Sequence, residues 1–283
     1  MNNVVYRLVW DTEGFPVSGG RCDPGMCTNL MYKLLAEDPV KVAIVGAGCS
    51  TESEATAQAS HLWNLTQISY GSSSPILSNR KRFPRFFRLA PPDTTLNPAR
   101  ITLLKYYNWK RVATIHQALE FFSAVTEDFL EKIRNTDIDV VTSEIFYDNP
   151  MSQLENMKKH DVRIIFAGCY ADMAVRILCQ AYKMGLYGHK IVWIFPGWYA
   201  THWWQTENQD GCSREQMDRA ADGHLVTGHF YLNPKQKRGI AGLTPRRVCS
   251  SFPKEAALDN VHALRLCSRT MLRRHLDSGT GSQ

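Results

Sequence analysis

Strand-like and helix-like segments alternate along most of this chain, and that alternation constrains the fold more than any other feature. Short apolar runs at 42–45, 67–69, 111–115, 139–145, 163–167 and 191–195 read as strands, and 4–10 as another. Between them, 53–63, 121–135, 151–159 and 171–184 read as helices. Asp23-Pro24 supplies an N-cap and a first-turn proline for a helix carrying Cys27, Leu30, Met31, Leu34 and Leu35 at helical spacing. Asn97-Pro98 opens a further helix that includes 101–107. Alternation at these lengths predicts an α/β fold with parallel sheets covered by helices on both faces.

One compact doubly wound sheet needs fewer strands than these. A break near Asn108-Trp109 divides the chain into two α/β halves. Two such lobes leave a cleft at the carboxyl ends of their strands, where ligands of this architecture bind. Past Gly228 the rhythm fails: 235–242 and 278–283 are polar, and only 255–274 has a helical pattern.

Composition removes other classes. With 44% hydrophobic and 21% charged residues, the 283-residue chain is neither disordered, collagenous nor a coiled coil. No run reaches the ~18–20 apolar residues of a membrane-spanning helix. The start, Met1-Asn2-Asn3-Val4, lacks the basic opening and apolar run of a secretory signal. The net charge of +6 comes from the tail: 235–283 holds ten Lys/Arg against three Asp/Glu. A basic excess in a short irregular segment, not interleaved with aromatics on a folded face, argues against a nucleic-acid partner. The eight cysteines form no C-x-x-C pair and no zinc-like spacing, so no metal is expected. They are core thiols or disulfides of an oxidising compartment, and eight cysteines allow 105 pairings.

The chemistry sits at the turns. In Gly46-Ala47-Gly48-Cys49-Ser50-Thr51-Glu52-Ser53-Glu54 a strand runs into small residues, and Thr51 with Glu54 reads as a capping box. Free backbone N–H groups and the positive end of the helix dipole then offer a place for a carboxylate or phosphate, with Ser50 adding a hydroxyl donor. The plainer reading is an ordinary N-capped βα turn. Ser69-Tyr70-Gly71-Ser72-Ser73-Ser74-Pro75 also follows a strand, and its hydroxyls can converge on the same anion. In the second half Tyr170 and Trp198 follow strands, placed to cover a ligand's alkyl part, to meet an amine through cation–π contact, or merely to pack loop on helix.

No G-x-S-x-G elbow, H-E-x-x-H or paired carboxylates follow the strands, so no catalytic set and no cofactor are expected. His116, His160 and His189 read as solvated or capping residues. Asn64-Leu65-Thr66 matches a glycosylation sequon, although it joins a helix to a buried strand.

Cys22-Asp23-Pro24-Gly25, Gly48-Cys49-Ser50, Trp63-Asn64-Leu65, Tyr70-Gly71-Ser72-Ser73-Ser74-Pro75 and Leu77-Ser78-Asn79-Arg80 come in an order that resembles the extracellular domain of type B γ-aminobutyric acid (GABA) receptors. So do Arg82-Phe83-Pro84, Phe86-Phe87-Arg88, Asn97-Pro98, Asn108-Trp109-Lys110, Asp161-Val162-Arg163-Ile164-Ile165 and Gly197-Trp198-Tyr199. Similarity runs over about 4–227. The Tyr70 to Pro75 string is similar to the ligand-binding subunit, whereas Pro196-Gly197-Trp198-Tyr199 is similar to its partner.

The resemblance implies a two-lobed, periplasmic-binding-protein-like "Venus flytrap". Lobe 1 is 1–108, lacking its first strand and helix; lobe 2 is 109–229; 230–283 is a divergent return segment and basic tail. It implies a small GABA-like amino acid as ligand, its carboxylate on Ser50 and Ser73, with Tyr170 reaching across from lobe 2 and Trp198 packing on it. It implies a second receptor subunit bound through lobe 1 as a heterodimer, and a G protein reached only through a transmembrane region outside this chain. The setting is the extracellular side of the plasma membrane. The same likeness pairs Cys22 with Cys49 and Cys179 with Cys212, and gives no partners for Cys27, Cys169, Cys249 and Cys267.

Three departures stand out. The family histidine that helps hold the carboxylate falls on Ala90. The family's opening strand, helix and tryptophan loop precede Val4. Glu255, in Glu255-Ala256-Ala257-Leu258-Asp259, only loosely matches the segment with the amine-binding glutamate. Two other functions compete with the binding module: a decoy that dimerises with receptor subunits without binding ligand, and a small-molecule enzyme on the same scaffold.

Overall fold

The computed structural model describes residues 22–38, 40–206 and 210–229, together with 235, 237–239, 242–244 and 247. The expected strand at 4–10, the helix at 255–274, and with them Glu255, Cys249 and Cys267, lie outside the described residues. The described residues fall into two compact units. One takes those of Met1–Pro196 and Trp203–Thr227; the other takes those of Gly197–His202 and Gly228–Gln283.

The first unit is α/β and holds two parallel sheets. The smaller is made of β1 (Ala43–Val45), β2 (Thr66–Ser69) and β3 (Phe86–Arg88), in that order. Ala43 pairs with Thr66, and Gln67 with Phe86. Around this sheet run α1 (Pro24–Ala36) and α2 (Ser50–Ser60), followed by a 3-10 turn at His61–Trp63. Asp23 starts α1 as its spacing predicts, its Oδ1 accepting the Met26 N–H at 3.0 Å. Ala57, Leu77, Phe83 and Phe86 form the local core.

The larger sheet follows α3 (Asn97–Tyr106). Its strands β4 (Arg111–Gln117), β5 (Asp139–Phe146), β6 (Ile164–Gly168), β7 (Val192–Pro196) and β8 (Leu225–Thr227) lie in the order β5-β4-β6-β7-β8. The crossovers are α4 (Glu120–Ile133), α5 (Met151–Lys159), α6 (Ala171–Met184) and α7 (Arg214–Ala221). β4 is buried from Val112 to His116 without alternation, the pattern of a strand covered on both faces. Ile101, Leu104, Val112, Phe129, Ile133, Ile164, Phe166 and Ile194 close the core around it. Gly185 ends α6 in the left-handed region, φ 75°, where a side chain would be strained.

Several expectations need correction. The second helix begins at Ser50, three residues earlier than its spacing suggests, with Cys49 as N-cap and no side-chain cap. Thr51 and Glu54 therefore form no capping box; Thr51 lies inside the first turn. The strands Phe86–Arg88 and Leu225–Thr227 are too short to show periodicity, and α7 is too polar, although its capping box of Ser213 and Gln216 is a readable start signal. His116 is neither solvated nor capping. It is buried on β4, its Nε2 3.4 Å from the Ser123 hydroxyl, and burial lowers its pKa.

Two disulfides are formed, Cys22–Cys49 and Cys179–Cys212, each with Cα atoms 5.7 Å apart. The first ties the start of α1 to the N-cap of α2, and the second ties α6 to the segment entering α7. No helix among the described residues is long and apolar enough to cross a membrane.

Candidate functional site

Parallel strands deliver their carboxyl ends to one edge, so the turns after β1, β2 and β3 gather there. The first two interlock. Gly71 lies so close to the preceding turn that a Cβ on it would meet the Gly48 carbonyl oxygen at 2.8 Å. Only glycine fits this approach without moving backbone.

Hydroxyls then knit the turns together. The Ala47 carbonyl accepts from the Ser69 hydroxyl at 2.7 Å and from the Ser53 hydroxyl at 3.3 Å. The Ser72 hydroxyl sits between the Cys49 carbonyl, 3.1 Å away, and the Ser53 hydroxyl, 2.8 Å away. Ser69 Oγ accepts the Ser72 N–H at 3.0 Å. Gln67 Nε2 donates to the Gly46 carbonyl and to Thr56 Oγ1, both at 2.9 Å. These hydrogen bonds between buried groups tie the two turns into one platform, although Gln67 Oε1 is buried without a partner.

Ser50 and Ser73 meet on that platform. Ser50, the first residue of α2, accepts the backbone N–H of Ser73 at 3.1 Å and that of Ser74 at 3.0 Å on its hydroxyl oxygen. The Ser73 and Ser74 amides of the second turn are therefore spent on Ser50. The Ser50 hydroxyl, polarised by two incoming N–H groups, and Ser73 Oγ donate to no acceptor among the described residues. The Ser73 carbonyl accepts the Asp93 N–H at 2.9 Å, which joins the third turn to the second. Ala90 lies in this third turn, half-buried, and offers no donor.

Tyr170 approaches from the larger sheet. It is the N-cap of α6, packs edge-on against Phe122 with ring centroids 5.2 Å apart, and sets its hydroxyl against Thr51 on the first turn of α2. Burial pushes the phenol up to about 12. The neighbouring Thr51 hydroxyl pulls the other way, and the nearby Glu54, Glu52 and Asp172 carboxylates add to the rise. Trp198 belongs to the second compact unit and packs edge-on against the buried Tyr199, centroids 4.9 Å apart. In that unit Gly228 approaches Gly197 so closely that a Cβ would lie 3.2 Å from its Cα.

Two groups escaped the sequence reading. Thr51, read as part of a cap, neighbours the Tyr170 hydroxyl. Glu54 lies one turn beyond Ser50 on the same helix face, and burial raises its carboxyl pKa; Ser74 and Arg82 oppose that rise, and Glu120 adds to it. The i, i+4 spacing from Ser50 was the available signal. Arg100 is a buried charge, donating to Thr227 Oγ1 at 3.0 Å and Asn97 Oδ1 at 2.7 Å. Among the described residues no group of His, Cys, Asp and Glu could hold a metal ion.

Comparison with known proteins matches residues 14–256 to the family described as receptor family ligand binding region. Gamma-aminobutyric acid type B receptor subunit 1 of Mus musculus is 39% identical over 235 residues, 83% of this chain and 24% of the relative. Subunit 2 of Homo sapiens is 34% identical over 243 residues, 84% and 25% of the two chains. Subunit 1 of Caenorhabditis elegans is 34% identical over 276 residues, 90% and 30%. The chain thus spans 24–30% of the length of these relatives. With the family pattern running through both sheets and all three turns, this chain belongs to the receptor-family ligand-binding region, a family of ligand-binding receptors and not of enzymes.

Proposed function

We propose that the chain is the extracellular ligand-binding part of a type B GABA-like receptor and binds GABA or a related amino acid. The observation that carries this reading is the tie of the Ser73 turn to the Ser50 hydroxyl oxygen, on an edge where neither the Ser50 nor the Ser73 hydroxyl donates to a described residue. A ligand carboxylate accepts from both. Such charge-assisted bonds are roughly twice as strong as neutral ones.

In this reading 1–108 and 109–229 are the two lobes, and 230–283 returns toward the first. Tyr170 delivers its hydroxyl, neutral at any physiological pH, to the same edge as Thr51 and Ser50. Trp198 covers the ligand's alkyl part, and Glu255 meets its amine. A second subunit docks on the first lobe as a heterodimer. Signalling to a G protein needs a membrane region beyond these residues, at the plasma membrane.

One observation favours a second reading. Position 90 is alanine, which has no side-chain donor, where the resemblance puts a histidine that would hold the carboxylate. A chain so altered could instead serve as a non-binding partner of receptor subunits. Calorimetric titration with GABA and with glutamate separates the two: binding heat supports the ligand reading, and its absence with retained subunit association supports the decoy.

A further inference from the structure

Asn64-Leu65-Thr66 is the one Asn-X-Ser/Thr sequence in the chain, and the site described above makes no use of it. We propose that Asn64 carries an N-linked glycan. Asn64 caps the 3-10 turn at His61–Trp63 in the left-handed region, φ 61°, with its backbone N–H bonded to the His61 carbonyl at 3.0 Å. Its side chain is exposed, and its amide makes no hydrogen bond to any described residue. Backbone geometry alone presents the side chain, so the amide nitrogen is free to carry a substituent into solvent. Thr66, half-buried at the start of β2, completes the acceptor sequence.

The compartment fits the chemistry. Cys22–Cys49 and Cys179–Cys212 form and persist where the environment is oxidising, which is also where this modification is made. There, Asn64 Nδ2 attacks the anomeric carbon of a polyprenyl-diphosphate-linked oligosaccharide. A C–N bond forms, the anomeric C–O bond breaks with its electron pair leaving on the diphosphate, and the amide nitrogen gives up one proton.

Position in the fold makes the glycan compatible with ligand binding. Asn64 precedes β2 and Ser73 follows it, so the two lie beyond opposite ends of one four-residue strand. At ~3.3 Å per residue that separation is on the order of 10 Å or more. Beside Asn64, Leu62 and Trp63 are exposed, and Tyr32 stacks edge-on against Trp63 with centroids 5.5 Å apart. A glycan at this end shields that apolar surface and leaves the hydroxyl platform clear.

The inference rests on the extracellular part of the reading above. Its test is peptide mapping, without reduction, of the full chain secreted behind a cleavable leader from a mammalian cell line. The expected result is an Asn64 peptide bearing sugar, returned to the deamidated form by peptide-N-glycosidase. Thr66→Ser keeps the sugar and Thr66→Ala loses it. A bare Asn64 peptide with both disulfides intact overturns the glycan alone. A bare peptide with reduced thiols overturns the glycan and the extracellular reading together. A glycosylated chain that gives no heat with GABA supports the glycan while striking the ligand assignment.

Discussion

A Cβ built on Gly71 would lie 2.8 Å from the carbonyl oxygen of Gly48, so the turns after β1 and β2 touch backbone to backbone. Neither side is a flexible side chain that can swing away. Gly71→Ala is therefore expected to force the turns apart, at a cost of ~1–3 kcal/mol typical of overpacking. Urea unfolding of the two chains measures it. Equal midpoints would show that the turns part freely.

Ser50→Ala removes the acceptor of two backbone N–H groups rather than a surface hydroxyl. Leaving such groups unpaired costs ~1–3 kcal/mol each at a buried site. The specific signature is hydrogen exchange: the Ser73 and Ser74 amides should lose protection while those of β5 keep theirs. Unchanged protection at Ser73 and Ser74 would mean that another acceptor holds them.

The Cys22–Cys49 bridge closes a separation of 27 residues. Chain entropy assigns about 3–4 kcal/mol to a loop of that size. Replacing both cysteines by serine should lower stability by that order and loosen the entry to α2. Full retention of the melting temperature would argue that this segment holds without its covalent tie.

His116 supplies a pH dependence with a definite sign. Burial depresses its folded pKa below the ordinary 6.5, so between the two values the unfolded chain binds the proton more readily. Stability from this group is full above 6.5 and is lost as pH falls toward the folded midpoint. His116→Gln should flatten the part of the stability profile that lies below pH 6.5. A ring titration by NMR with its midpoint at or above 6.5 would contradict the burial seen here.

How much of this was legible beforehand depends on the length of the signal. The helices Met151–Lys159 and Ala171–Met184 repeat their apolar spacing over several turns, and both match their sequence-derived bounds. Phe86–Arg88 has three residues and no period to read; it is a strand because β2 pairs with it. Around Ser50, Thr51 followed by Glu54 mimics a capping box. The helix starts earlier because Cys49, held by its disulfide, already stands in extended backbone at the N-cap. Tertiary constraint outweighed local preference there. The cysteine pairing itself was not readable from spacing and came from family resemblance. Likewise, the spending of the Ser73 and Ser74 amides on Ser50 depends on the approach of Gly71 to Gly48, a contact between turns that no local pattern announces.

Ala90→His restores a donor at the third turn. If the ligand carboxylate sits on Ser50 and Ser73, one added charge-assisted bond should tighten GABA binding by roughly tenfold. Unchanged affinity would place the carboxylate elsewhere.

The most direct test of the central claim is calorimetric titration of GABA into the chain and into its Ser73→Ala variant. The Ser73 hydroxyl serves no described residue, so its loss should leave the melting temperature where it was. It should still weaken binding by ~1.5–3 kcal/mol, roughly tenfold or more, because a hydrogen bond to a charged group is lost. Equal affinity in the two chains, or a fall in affinity matched by an equal fall in stability, would contradict the assignment of Ser73 to the ligand.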